Sequence, residues 1–321
     1  MPRSVAIVGA GLAGLACART LAAHGVEVAL LDKGRAPGGR LATRRAEVDG
    51  RAFAFDHGAQ YLTARGALFQ ATLEASGAQP WHTEGWRVGV PRMSAIPRAL
   101  AEGLEVTLAR EVVAVAGTAG AWTLRHGAPR PPGQALAADS IAESGPFDGV
   151  VLAVPAPQAA ALLRGPAPHL SRVLDLVRMA PCWTLMSAFP QRLALPDTLR
   201  PESGPIGWAA RDSSKPGRDP ASECWVVQGS PAWSREHLEL RAEQAAAALL
   251  AAFVELAGGL PAPLHLSAHR WRYALVEHAL GAPCLWEPAL GLGAAGDWCI
   301  AARAEAAVES GAALGAVIAG R

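Results

Sequence analysis

The sequence predicts an α/β protein: a Rossmann-like dinucleotide-binding domain into which a smaller, mixed α+β domain is inserted. Three observations lead there. Near the start, RSVAIVGAGLAGLACARTLAAHGVEVALLDKG reads as strand, glycine turn, helix, strand. At the far end an apolar strand runs into Gly296-Asp297 and an Ala-rich helix. Between them, from Pro166 onward, prolines and tryptophans (Trp183, Trp208, Trp225, Trp233) become frequent, which marks a segment of different build.

Taken in order, Ser4–Val8 is a short β-branched run and is expected as a buried strand. Leu12–Ala23 is rich in Ala and Leu and reads as a helix; Val26–Leu31 is the second strand, ending at Asp32. Leu41–Leu62 is mixed, with short strands. Ala67–Ser76 and Met93–Ala101 read as helices. Strands are expected at Glu105–Leu108, Glu111–Ala116, Ala121–Arg125 and Gly149–Val154, and a helix at Gln158–Leu163. His126–Phe147, rich in Pro, Gly and Ala, reads as a surface insertion, because a strongly apolar strand follows it. Further strands are expected at Thr184–Phe189, Cys224–Gln228, His265–Trp271 and Gly291–Ala295. Arg235–Gly258 reads as one long helix with Ser234 as its N-cap.

The bulk numbers exclude several classes. With 321 residues and 51% hydrophobic content the chain can bury a large core in more than one domain. Twenty-nine basic and 28 acidic residues nearly cancel, so neither a nucleic-acid binder nor a protein held to membranes by charge is expected. The five cysteines are odd in number and form no C-x-x-C, which argues against a disulfide framework or a zinc site and fits a reducing cytoplasm. Glycines, Arg19 and His24 interrupt the apolar N-terminus, so it reads as a nucleotide fold rather than a secretory signal. No stretch is long and clean enough to span a bilayer.

The chemistry lies in the motifs. Gly9-Ala-Gly11-Leu12-Ala13-Gly14 follows a strand and opens a helix. The first glycine permits the tight turn, the second lets a pyrophosphate approach the backbone, and the third lets helix and strand pack closely. The helix N-terminus offers unpaired N–H groups to the phosphates. Asp32, 18 residues past Gly14, has the position of a ribose-binding acid. This motif alone does not choose between NAD and FAD. Gly38-Gly39-Arg40, shortly after that acid, resembles the second fingerprint of the two-dinucleotide-binding-domain flavoproteins, the superfamily of the amine oxidases. The resemblance implies that Arg40 lies over the FAD pyrophosphate, a role suited to a planar guanidinium. It also implies that Asp297 binds the ribityl chain, with the following helix aimed at the flavin edge where negative charge develops.

Six longer strings narrow the family. They are Asp56-His57-Gly58-Ala59-Gln60-Tyr61-Leu62-Thr63, Met93-Ser94-Ala95-Ile96, Val154-Pro155-Ala156-Pro157-Gln158, Ser213-Ser214-Lys215-Pro216, His269-Arg270-Trp271 and Gly296-Asp297-Trp298-Cys299. Their ordered combination resembles the renalase family, more its bacterial than its animal branch. The resemblance runs from the first strand to the last helix and is least clear at His126–Pro146. It implies non-covalent FAD, oxidation of the 1,2- and 1,6-dihydro isomers of NAD(P)H, and transfer of the electrons to O2 with release of hydrogen peroxide. On this resemblance the FAD-binding domain comprises residues 1–62, 92–163 and 286–321, and the substrate domain 63–91 and 164–285. The cofactor set is Gly9, Gly11, Leu12, Ala13, Gly14, Asp32, Lys33, Gly39, Arg40, Ala59, Gln60, Tyr61, Val112, Gly296, Asp297 and Glu305. Ala306 departs from the glycine common at the start of the last helix.

Tyr61, His269 and Trp271 are the expected substrate-side residues. Tyr61 is suited to flank a flat ring; His269 and Trp271, at i and i+2 of a strand, share one face. Arg270 then faces away and is expected to be structural. Arg211, Lys215 and Arg218 are expected on a solvated loop, the alternative being a landing place for substrate phosphates. No metal is expected, and Cys299 does not match a flavin-attachment motif. Rival readings are a flavin amine oxidase or another small-molecule FAD-dependent oxidoreductase, a flavin-bearing binding or redox-sensing protein without turnover, and an NAD-dependent dehydrogenase without flavin.

Overall fold

The computed structural model describes residues 2–130 and 140–320. Its first βαβ unit has the expected form. The strand Ser4–Val8 and the strand Glu27–Leu31 run parallel, joined by the helix Leu12–Ala23. They sit inside a six-stranded sheet. Its order is Leu285–Glu287, Leu292–Ala294, Gly149–Leu152, Ser4–Val8, Glu27–Leu31, Val106–Thr107. All neighbours are parallel except the Leu285–Glu287 edge. Both faces are covered, which is why the central strands Ser4–Val8 and Gly149–Leu152 are almost wholly apolar and buried.

The last helix, Ala304–Ile318, packs along the first. The contact is backbone-close. A Cβ on Gly311 would fall 2.0 Å from the carbonyl oxygen of Ala13, and one on Gly315 would fall 2.7 Å from Thr20. The first and last segments of the chain therefore pack as one unit.

A second sheet of five strands is antiparallel, in the order Thr198–Leu199, Ile206–Arg211, Glu223–Gly229, Arg178–Phe189, His265–His278. One face packs on the helix Ala242–Ala257 through Trp183, Leu185, Phe189, Trp225, Leu249 and Phe253. The other face looks toward the hairpin Thr43–Val48/Arg51–Asp56, where Phe53 and Phe55 meet Met186, Ala188, Cys224 and Val226. The neighbouring strands Arg178–Phe189 and His265–His278 are longer than the sequence patterns at Thr184–Phe189 and His265–Trp271 suggest, because they pair with each other past the alternating segments.

Two other expectations are corrected. Arg235–Gly258 is not one helix: a short helix, Pro231–Glu236, is followed by Ala242–Ala257. Tertiary contacts break it. The carbonyl of His237 accepts from Trp183 Nε1, and that of Leu238 from Arg270 Nη1, so these groups are drawn toward the sheet. Ser230, not Ser234, caps the short helix; Ser234 is buried and accepts from the Trp183 N–H. The second concerns His126–Phe147, whose described end is mostly exposed as expected but is regular rather than a loose insertion. Its described end, Ala142–Phe147, is a strand that completes a three-stranded sheet with Glu111–Thr118 and Ala121–Gly127. Residues 131–139 of that insertion lie outside the described residues. Among the described residues no helix is long and apolar enough to cross a membrane.

The close crossing of first and last helices gives a direct test. Gly311→Ala should lower the free energy of unfolding by about 1–3 kcal/mol through overpacking against backbone, read as a lower urea midpoint, whereas Gly165→Ala, whose Cβ meets nothing within 4 Å, should not.

Candidate functional site

The glycine turn is built to admit a ligand. Gly9 has φ of +105°, and a Cβ there would strike the Ala153 carbonyl oxygen at 2.5 Å. A Cβ on Gly14 would fall 1.9 Å from the Gly9 oxygen. Gly11 differs: its Cβ would meet nothing within 4 Å. Gly11 is also the N-cap of the first helix and brings no side chain to cap it. The turn thus leaves open space in front of a helix N-terminus, the arrangement that a phosphate fits. Gly39 lies beside it, since its Cβ would come 3.7 Å from Gly11 Cα, and the Gly38 N–H donates to the Ala10 carbonyl at 2.9 Å. Asp32 holds the turn from behind: its carboxylate accepts from the Ala10 and Gly34 N–H groups, both at 2.6 Å. Lys33 is exposed beside it, and Val112 packs half-buried on the far side of the sheet.

Arg40 joins the two ends of the chain. It makes a two-pronged pair with Asp297, at 2.7 and 2.6 Å, and donates to the Ala274 carbonyl at 2.9 Å. Gly296 is a glycine for steric reasons, because a Cβ would fall 2.2 Å from Nε1 of the buried Trp298. Glu305 is engaged inside the protein. Its Oε1 accepts from the N–H groups of Arg65 and Gly66 at 2.7 and 2.6 Å. Burial raises its proton affinity, but those hydrogen bonds and Arg303 outweigh it and hold the carboxyl below its ordinary range.

The carbonyl of Arg40 carries the next segment. The Ala59 N–H donates to it at 2.9 Å, and a Cβ on Gly58 would meet it at 1.8 Å. The turn 57–61 therefore lies directly on Arg40. Above the turn comes the inner face of the five-stranded sheet. Trp208, Gln228, Thr184 and His269 face one another across four strands and form one row. Gln228 donates to the Gly58 carbonyl at 2.8 Å and Trp271 to the His57 carbonyl at 2.9 Å, which docks the sheet on the turn.

At the His269 end, His57, His269 and Trp271 form a ring cluster with centroids 4.5–5.0 Å apart. Burial, with His269 and Arg44 nearby, pushes the His57 imidazole down to about 3; burial, Arg44 and Arg270 push His269 down to about 4. Both are neutral at pH 7. At the other end of the row, Tyr61 stacks on Trp86 at 3.9 Å and touches Trp208 at 5.6 Å. The two ends are three strand spacings, about 14 Å, apart. The structure thus brings His269 and Trp271 together as expected and sets Tyr61 in a separate aromatic cluster. Arg270 turns away to Glu239, Leu238 and the Trp183 ring.

The expectation of a solvated basic loop fails. Arg211 and Lys215 are buried, and only 6% of the Arg218 side chain is exposed. Arg211 pairs with Asp197 and Glu223 over the Trp225 ring. Lys215 and Arg218 pair with Asp56 and Asp212 beneath the turn 57–61. Burial raises both carboxyls. At Asp56 the two cations outweigh it and proton affinity falls; at Asp212 burial and the Asp56 charge prevail and it rises. The sequence hid this because four charges among Ser, Pro and Gly have the composition of a surface loop. Sequence reasoning also gave no role to His57, Thr184, Trp208 or Gln228. His57 was signalled by its place between Asp56 and Gly58, and the strand residues by alternation opposite His269.

The depressed histidines make stability pH-dependent. Below the ordinary histidine value of 6.5 the unfolded chain takes up protons that folded His57 and His269 refuse until about pH 3 and 4. Their contribution is thus complete above pH 6.5 and is lost as the pH falls. The urea midpoint should drop between pH 7 and pH 5, and a His57→Gln/His269→Gln variant should drop less.

Residues 7–73 match the family model for an NAD(P)-binding Rossmann-like domain, and residues 81–313 that for a flavin containing amine oxidoreductase. The second match covers well over half of the chain. A putative protoporphyrinogen oxidase from Exiguobacterium sp. 255-15 superposes with a TM-score of 0.75 at 15% identity, covering 99% of this chain and 98% of that one. Putrescine oxidase bound to putrescine superposes with a TM-score of 0.69 at 15% identity, covering 99% of each chain. Such low identity speaks for the fold. Among curated relatives, Lysine-specific histone demethylase 1 homolog 3 from Oryza sativa subsp. japonica is 48% identical over 60 residues, 19% of this chain and 7% of that protein. FLOWERING LOCUS D from Arabidopsis thaliana is 47% identical over 60 residues, 19% of this chain and 8% of that protein. The match thus spans less than a tenth of either relative's length. With an open glycine cradle and a family model matching well over half of it, the chain belongs to the flavin-containing amine oxidoreductases, with FAD as the cofactor.

Proposed function

We propose that the protein oxidises the 1,2- and 1,6-dihydro isomers of NAD(P)H to NAD(P)+, with O2 as acceptor and hydrogen peroxide as the second product. The reading rests on the ordered strings that resemble the renalase family, and the observation that carries it is the neutral aromatic cluster of His57, His269 and Trp271. When bound, FAD would supply a two-electron acceptor for the donor's hydride, with O2 as the final oxidant.

The chain's residues have three tasks. The first is to hold the cofactor: Gly9, Gly11, Leu12, Ala13, Gly14, Gly39 and Arg40 for its phosphates, Asp32 and Lys33 for the adenosine side, Gly296 and Asp297 for the ribityl side, and Ala59, Gln60 and Tyr61 for the ring. Glu305 acts through the loop at Arg65 and Gly66, which it already binds, and Val112 supports the sheet beneath. The second task is orientation. A dihydronicotinamide already carries a transferable hydride, so the site must align donor and acceptor rather than abstract a proton. The third is electrostatic. Positive charge grows on the nicotinamide ring as the hydride leaves. The faces of aromatic rings stabilise it, and imidazoles held neutral by burial add no opposing charge.

A second reading, a flavin amine oxidase, is favoured by the family model and by the likeness to putrescine oxidase. An ammonium can be held by aromatic faces, but among the described residues it finds no free carboxylate beside the turn 57–61. The two acids beside the turn 57–61, Asp56 and Asp212, are already paired with Lys215 and Arg218.

The test is anaerobic mixing of the holoprotein with dihydronicotinamide isomers, with ordinary NADH and an amine panel as controls. The flavin band should bleach rapidly with the isomers alone; bleaching by an amine instead would sink the substrate reading and keep the flavin one. His269→Ala should slow bleaching by less than about tenfold, since no general base is required. Complete loss of reduction with flavin still bound would refute that assignment.

A further inference from the structure

A buried ammonium lies directly beneath the turn 57–61, and nothing in the proposed chemistry uses it. The Lys215 side chain is fully buried. Its Nζ lies 2.5 Å from Asp212 Oδ1, 3.6 Å from Asp56 Oδ2, 3.2 Å from Gln60 Oε1 and 5.4 Å from the centre of the Trp81 ring. Arg218 pairs with Asp56 from the other side and donates to the carbonyls of Gly89 and Pro216, both at 2.7 Å. Thr43 and the Met93 N–H complete the Asp56 shell at 2.7 and 3.1 Å. Desolvating four charges is costly, and apolar side chains would fill the same space without that cost. What charge adds here is direction.

The direction is visible at Gln60. An amide has one end that accepts and one that donates, and only the oxygen can face an ammonium. Lys215 therefore fixes which way the Gln60 amide points. Its Nε2 is sent to the carbonyls of Asp56 and Gly58, the latter at 3.0 Å. The Gly58 carbonyl also accepts from Gln228 at 2.8 Å. The N–H of that same peptide, on Ala59, donates to Arg40. The Gly58–Ala59 peptide is thus held at both ends, and the chain of contacts runs Lys215, Gln60, Gly58–Ala59, Arg40, Asp297.

We propose that Lys215 is a positioning residue for the cofactor: through the Gln60 amide it locks the Gly58–Ala59 peptide onto Arg40 and so holds the flavin-side wall of the FAD cradle in shape. Lys215 does not itself reach cofactor or substrate. It belongs to the loop after the Ile206–Arg211 strand, so seating of the antiparallel sheet and shaping of the cradle are one event. The inference rests on the reading that the turn 57–61 lines FAD, and it is independent of the substrate.

The test uses full-length apoprotein titrated with FAD, read by quenching of flavin fluorescence and by the visible spectrum of bound flavin, with far-ultraviolet circular dichroism for folding. Asp212→Asn/Lys215→Met removes one charge of each sign and leaves Asp56 paired with Arg218. Gln60→Met leaves all four charges. Each should weaken FAD binding at least tenfold and shift the bound-flavin bands, and the triple variant should be no weaker than Gln60→Met, because one path is cut twice. A folded double variant with affinity within twofold of the parent and the same spectrum would overturn the proposal, as would losses that add in the triple variant. Should the double variant fail to fold, Gln60→Met decides alone, and unchanged affinity and spectrum there overturn the proposal. Gly58→Ala tests the underlying reading, since its Cβ must displace the Arg40 carbonyl; if FAD binding ignores it, the turn does not line the cofactor and both ideas fall.

Discussion

The structure depends on Arg40 being held at both its side chain and its backbone. The guanidinium is clasped by Asp297, 257 residues away, and the carbonyl receives the Ala59 N–H. A glycine is required at position 58 because nothing larger fits over that carbonyl. The cofactor fingerprint after the second strand, the turn after the hairpin and the strand-to-helix junction near the C-terminus therefore share one anchor. Local order within any one of them cannot produce the site.

The same logic of crossed connections recurs in the antiparallel sheet. Its outer face makes an ordinary hydrophobic core with the Ala242–Ala257 helix. Its inner face is unusual in carrying polar and aromatic groups in a row, two of which, with Trp271, are spent on or around the backbone of residues 57 and 58. Hydrogen bonds to carbonyls fix orientation in a way that apolar packing does not. The buried charges beside them act alike: neither isolated carboxylate nor isolated ammonium would tolerate that burial, so each is present only because the others are.

The neutral histidines fit this picture. Both are removed from water, which is the main cause, and Arg44 lies near both with Arg270 also near His269, so their uncharged state follows from where the fold puts them. An imidazole on the surface at the same sequence position would titrate near neutrality. In the proposed reaction, where a ring gains positive charge, that restraint keeps an opposing charge away.

By itself the sequence determined the nucleotide-binding half. The strand Ser4–Val8, the helix Leu12–Ala23 and the glycine turn between them are specified by neighbours in the chain: periodicity, propensity and the steric freedom of glycine. The Gly38–Arg40 and Gly296–Asp297 motifs were legible for the same reason, and so was the shared face of His269 and Trp271. Only the tertiary structure decided the rest. The Arg235–Gly258 periodicity was helical throughout, yet contacts from Trp183 and Arg270 drew off the carbonyls at its middle. Arg211, Lys215 and Arg218 had the composition of a solvated loop, yet Asp56, Asp197, Asp212 and Glu223 made burial affordable for them. Apart from Asp212, at i,i+3 from Lys215, these partners lie 12 to 162 residues away along the chain, and a local pattern carries no record of who they are.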